Sequence, residues 1–201
     1  MSDMRLKYTA IAQRYSHTPF SFGGTDWSRI LLPDGVTIGT DNVLAEGSET
    51  VSGSGSSPGT LTASFILPDT WDGEIIDGNV FCNVKVGVTD PSDGYAYVSD
   101  VDVEIKKMDS SGNETSLSGV VALLDGGTSS GPLVRSGDDN GYIYGRFFGW
   151  VPIDSAEIKS NEHIVVTISI TVTETMSSKN GTAALVYSAD TADTYFIFPL
   201  V

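Results

Sequence analysis

The reactive side chains of this 201-residue sequence are few: two histidines, His17 and His163, one cysteine, Cys82, and a large set of aspartates. Nucleophilic catalysis of the Ser/His/Asp or Cys/His kind needs an imidazole held against a hydroxyl or thiol, with a third group fixing its tautomer. His163 opens the alternating run Ile164 to Val172, and Cys82 sits within Val80, Cys82, Val84, Val86 and Val88. Each therefore belongs to a strand, and Cys82 to its buried face. Neither lies in a nucleophile-elbow or papain-like context. Structural zinc takes three or four Cys or His ligands, which two histidines and one cysteine on a buried strand face do not suit, and no glycine-rich phosphate cradle is written. The sequence predicts no catalytic residues, no cofactor-binding residues and a protein that is not an enzyme.

The acidic loops offer oxygen ligands instead. Asp69, Asp72 and Glu74 fall within six residues, Asp90 and Asp93 within four, and Asp138 and Asp139 are adjacent. Calcium takes six to eight such oxygens, although no twelve-residue helix-loop-helix pattern is present. Asp in turns bonds its own backbone, and turn formation is the preferred reading, with Ca²⁺ at Asp69, Asp72, Glu74, Asp138 and Asp139 as the alternative. Aromatic residues form the other candidate set: Tyr95 and Tyr97 beside a turn, and Tyr142, Tyr144, Phe147, Phe148 and Trp150 in GYIYGRFFGW. A sugar-binding module could use Tyr95, Tyr97 and Trp150 as a stacking platform. Because both parities of the second segment carry large side chains, core plus subunit contact is preferred.

The elements that must hold these groups read as strands. Asp outnumbers Glu 18 to 8, and 22 glycines punctuate the chain, a bias toward turns over helices. Period-two alternation marks residues 60–67, 79–89 and 98–107, where Val101, Val103 and Ile105 alternate with Asp100, Asp102, Glu104 and Lys106. Further strands are expected at 117–124, 141–151, 163–173, 182–188 and 194–201, with turn residues between them. The expected fold is all-β, an antiparallel two-sheet β-sandwich of eight to ten strands in one domain over 21–201. A jelly roll is favoured over an immunoglobulin-like arrangement. Residues 45–59, rich in Gly and Ser, are expected as a surface loop.

Charge divides the chain near residue 20. Residues 1–20 hold three bases against one acid, whereas the whole chain is −15. This predicts an N-terminal arm that straps onto an acidic neighbour through Arg5, Lys7, Tyr8, Arg14 and Tyr15. The ending Tyr195-Phe-Ile-Phe-Pro-Leu-Val201 is apolar on both parities, so Tyr195 and Ile197 are expected at the same kind of contact, with Phe196 and Phe198 inside. The start of the chain has no apolar run of signal-peptide length and no stretch has spanning length, so synthesis in the cytosol without export is expected, and no membrane partner. An acidic body is not expected to bind duplex nucleic acid.

The passage Phe65-Ile-Leu-Pro68-Asp-Thr-Trp71-Asp72-Gly73 leads into a long alternating strand, and Gly181-Thr-Ala-Ala-Leu-Val-Tyr187 leads to a final strand with Phe198-Pro199. These features resemble β-sandwich virion proteins of phages and related viruses. The resemblance implies a virion structural protein, a capsid-shell or decoration (cement) subunit or a tail component, in a homo-oligomer touching other virion proteins and made in the host cytoplasm. It carries over no catalytic residues. The alternative function is a carbohydrate-binding or adhesin-like module.

Overall fold

The computed structural model describes residues 6–15, 19–33, 44–45, 47–69, 71–90, 94–136, 141–187 and 193–201. Among the described residues there are fifteen strands: β1 (Leu6–Tyr15), β2 (Phe20–Phe22), β3 (Thr25–Trp27), β4 (Arg29–Pro33), β5 (Leu44–Ala45), β6 (Gly47–Gly53), β7 (Gly59–Ile66), β8 (Glu74–Thr89), β9 (Tyr95–Asp109), β10 (Glu114–Leu124), β11 (Val134–Ser136), β12 (Ile143–Ile158), β13 (Glu162–Glu174), β14 (Gly181–Tyr187) and β15 (Tyr195–Leu200). Among the described residues no helix is long and apolar enough to cross a membrane.

Thirteen strands form one sheet in the order β10-β9-β13-β7-β4-β1-β15-β8-β14-β6, with β12 on β8, β11 on β9 and β5 on β1; β2 and β3 form a separate hairpin. Residues far apart along this order meet in one core: Val101 and Val103 of β9 and Val166 and Ile168 of β13 join Val84, Val86 and Leu185 from β8 and β14. The close approach of β14 to β9 needs a glycine, since a Cβ on Gly181 would stand 2.3 Å from that of Ala96. Edge-on ring pairs knit the interior, Phe65 with Tyr187 at 5.0 Å and Trp71 with Tyr8 and Phe198 at 4.8 and 5.4 Å, the geometry ring quadrupoles prefer. A smaller cluster of Ile30, Leu32, Ile66, Met108 and Val165 lies against Phe20, Phe22 and Trp27 of the β2–β3 hairpin.

The all-β class stands, with three corrections to the sequence reading. The sheet is mixed, because β4 meets β7 in parallel at Ile30↔Ile66, and jelly-roll connectivity is not confirmed. Residues 6–15 are a strand of the sheet, not a free arm. β1 pairs with β15 through Tyr8↔Phe198 and Ala10↔Phe196, and with β4 through Ala12↔Leu31. Small alanines stand opposite large side chains there, so the segment fills its own chain's core although it has little apolar mass itself. The Gly/Ser-rich stretch contains strand β6, paired with β14 from Gly53↔Gly181 to Gly47↔Tyr187. Side chains help: the Ser52 and Thr182 hydroxyls lie 2.8 Å apart, and Glu49 receives Arg29 and the Tyr187 hydroxyl.

Candidate functional site: an outward aromatic face

Alternation along β8, β12 and β15 decides what faces out. Val80, Cys82 and Val84 on β8, Phe147 and Val151 on β12, and Phe196 and Phe198 on β15 enter the core. The opposite parity then stands on the far side of the sheet. Register lines these residues up in rows: Trp150↔Phe81↔Ile197↔Thr9, Phe148↔Asn83↔Tyr195, and Pro152↔Asn79 beside Pro199↔Lys7. Phe148 is 68 % exposed, Trp150 62 % and Tyr144 56 %. Phe81 sits between them, its ring 5.1 Å from Trp150, 6.5 Å from Phe148 and 6.1 Å from Tyr195. A groove of about 270 Å³ runs among Lys7, Asn79, Phe81, Trp150, Ile197 and Pro199.

One end of the face is braced by ion pairs. Asp193 is buried, and its Oδ1 accepts from Lys85 Nζ at 2.9 Å and Arg146 Nη2 at 3.0 Å. Its carbonyl accepts from Asn83 Nδ2 at 2.8 Å and Arg146 Nη1 at 2.9 Å. These bonds tie the segment before β15 to β8 and β12. Lys85 Nζ also lies 5.1 Å from the Tyr144 ring centre, within cation–π reach, and Tyr142 stacks on Tyr144 at 6.1 Å. Burial, then the neighbouring Tyr144, raises the Tyr142 hydroxyl pKa. A face of rings, aliphatics and neutralised charges can bind by area and stacking.

The residues proposed from sequence are distributed differently from expectation. Tyr195 and Ile197 lie on this face, half-buried, and Lys7 is exposed at its rim. Tyr8 is taken up inside its own chain, its ring against Trp71 and its hydroxyl donating to Asp69. Burial first, then that carboxylate, raise the pKa of Tyr8. Arg14 is exposed near the end of β1; Arg5, the side chain of Tyr15, Asp138 and Asp139 lie outside the described residues. Asp69, the acceptor for Tyr8, precedes an exposed Asp72 and a half-buried Glu74. Among the described residues no group of three or more His, Cys, Asp or Glu is placed to hold a metal. Tyr95 and Tyr97 are on β9, which does not pair with the β12 that carries Trp150. The partners of Trp150 are Phe81 and Phe148. Phe81 shares parity with Asn83 and Lys85, and an aromatic on that wet parity was the signal that could have found it.

The two residues weighed for nucleophilic chemistry have structural surroundings. His163 is buried, with Nδ1 donating to the Leu67 carbonyl at 2.9 Å and its ring edge-on to Phe22 and Phe20 at 4.2 and 5.3 Å. Burial pushes the Cys82 thiol up to about 12, far from the thiolate that reactivity requires.

No protein-family model and no curated protein matches the chain. Solved structures similar to it include a CocE/NonD family hydrolase from Staphylococcus aureus, with 14 % identity and a TM-score of 0.41, covering 94 % of this chain and 41 % of that one. The infectious bursal disease virus Gx strain structure is similar at 8 % identity and a TM-score of 0.27, over 100 % of this chain and 57 % of that one. The enzymatically active domain of bacteriophage CBA120 tailspike protein 4 is similar at 11 % and 0.24, over 99 % and 20 %. The chain thus spans less than two thirds of the length of each. The expectation of a protein that is not an enzyme is corrected here: a hydrolase and an enzymatically active domain stand among the structures it resembles, so the chain is not assigned to the non-enzymes.

Proposed function

We propose that this chain is a structural subunit of a virion-type particle, in a capsid-shell or decoration role, that works by contact through its outward aromatic face. One observation carries the reading: Phe148 and Trp150 stand more than 60 % exposed on β12, which is paired along β8, with Phe81, Ile197 and Pro199 beside them. A contiguous apolar patch on an otherwise acidic, well-solvated chain marks a surface that is covered in use. Trp and Tyr are the side chains that most often dominate protein contacts, because they bury large area at small entropic cost. Many modest contacts repeated around a particle add up through multivalency. The test is to express the full chain and a Phe148→Ser/Trp150→Ser variant and compare, by electron microscopy and co-sedimentation, what each forms or enters. Assembled particles from the wild type, with the variant folded but left in the supernatant, are the expected outcome. Equal incorporation of both would overturn the reading.

The groove supports a second reading. Trp150 and Phe81 form an apolar wall with Lys7 and Asn79 at its rim, which suits a saccharide ring with polar edges. A glycan array separates the two, since a contact subunit gives no ring-specific signal that Trp150→Ser abolishes.

A further inference from the structure

We infer that the carboxylates of Asp90 and Glu174, brought together at one end of the core, form a binding site for a divalent cation, calcium in particular. The inference is independent of the contact reading above. Alternation puts both groups inside. On β8 the inward parity runs through Val84, Val86 and Val88 and continues to Asp90; on β13 it runs through Ile170 and Val172 to Glu174. Both acids are at 0 % exposure. The valines and isoleucine of the two runs share one core, so each run ends its apolar face on a carboxylate.

β14 sets the two ends at the same level. Thr89 pairs with Thr182, so the residues that follow and precede them, Asp90 and Gly181, stand side by side. A Cβ on Gly181 would lie 3.7 Å from the Glu174 Cβ and 2.3 Å from that of Ala96, the residue paired with Glu174. Small residues thus leave room for the carboxyl group. At position 94 only glycine fits, because a Cβ there would fall 1.9 Å from Glu174 Oε1.

The bonding of Glu174 is incomplete. Thr175 Oγ1 donates to its Oε1 at 3.2 Å, while the buried Oε2 has no hydrogen-bond partner. Among the described residues Glu174 makes no ion pair. Arg135 shares its row, but on β11, opposite Ala96 and a strand farther away. A buried carboxylate is costly unless a cation or hydrogen bonds compensate it. Donors that are carboxylate oxygens, without imidazole or thiolate, suit a hard cation. Calcium takes six to eight oxygens in flexible geometry, so two carboxylates can hold it with main-chain oxygens and water, whereas magnesium demands a near-ideal octahedron. A third acidic side chain is not required, and none is grouped with these two among the described residues.

The full-length chain is stripped with chelator, and its melting is followed by scanning fluorimetry against rising millimolar calcium or magnesium. A terbium titration accompanies it, read by emission sensitised through Tyr95, whose amide donates to Thr175 Oγ1 beside Glu174. Calcium at a hundredfold its Kd should raise the melting temperature by about 5–10 °C. Terbium emission should saturate at one ion per chain and be displaced by calcium. Glu174→Gln and Asp90→Asn should each abolish both responses, while Asp72→Asn, an exposed acid before the other end of β8, should respond as the wild type does. The wild-type measurements decide the question even where a substitution unfolds the chain. No shift with calcium, an equal shift with magnesium, terbium emission that never saturates, or a response that survives Glu174→Gln would each overturn the site.

Discussion

Cys82 and Phe81 are neighbours in sequence and opposites in environment, and the contrast shows how one residue of register separates core from contact. Cys82 is buried, and its thiol pKa of about 12 lies above the unfolded value near 8.5. The folded state therefore holds the proton more tightly. The contribution to stability is complete below about pH 8.5 and declines as pH rises from there toward 12. Native protein at pH 8 should react with a thiol reagent at least a hundredfold more slowly than protein in guanidinium; comparable rates would show that the strand is open. Trp150 predicts the reverse behaviour. Trp150→Ser should leave the melting temperature of the isolated chain within about 2 °C, since exposed substitutions cost within ±0.5 kcal/mol. Differential scanning fluorimetry decides this.

At the scale of elements, β15 shows how much alternation makes legible. Phe196 and Phe198 are fully buried and Tyr195 and Ile197 are not, as parity in the sequence requires. Phe196→Ala or Phe198→Ala should cost about 3–5 kcal/mol, read by urea denaturation, and Tyr195→Ala or Ile197→Ala much less. β1 and β6 were not legible, for a shared physical reason. The inward positions of β1 are Tyr8, Ala10 and Ala12, two of them small, and β6 offers only Val51 as a large apolar residue, so their patterns are faint and their stability comes from partners distant in sequence. Composition then suggests arm and loop, while tertiary pairing with β15, β4 and β14 makes strands. Two consequences follow. Deleting residues 1–20 should unfold the chain, because it removes the strand between β4 and β15; a folded truncation by circular dichroism would contradict this. Gly59→Ala should cost about 1–3 kcal/mol by overpacking, because its Cβ would lie 2.1 Å from the Ser52 carbonyl oxygen.

For the whole molecule, the sequence made the all-β class and the buried strand faces readable, because period-two alternation is a local signal. The parallel β4–β7 contact and the assembly of the aromatic face were not readable. Rows such as Trp150↔Phe81↔Ile197 join residues that lie far apart in sequence, and only the register of β8 with β12 and β15 brings them together. What results is an acidic chain with an apolar face on β8, β12 and β15, and the proposed contact role requires copies to meet through that face while their acidic surfaces repel elsewhere. Static light scattering of the full chain across a concentration series, wild type beside Phe148→Ser/Trp150→Ser, tests that most directly. The wild type should rise to the mass of two or more copies of its 21.3 kDa chain, while the equally folded variant stays at one; a wild type that remains a single chain at every concentration, or a variant that follows it upward, would contradict self-assembly through the aromatic face.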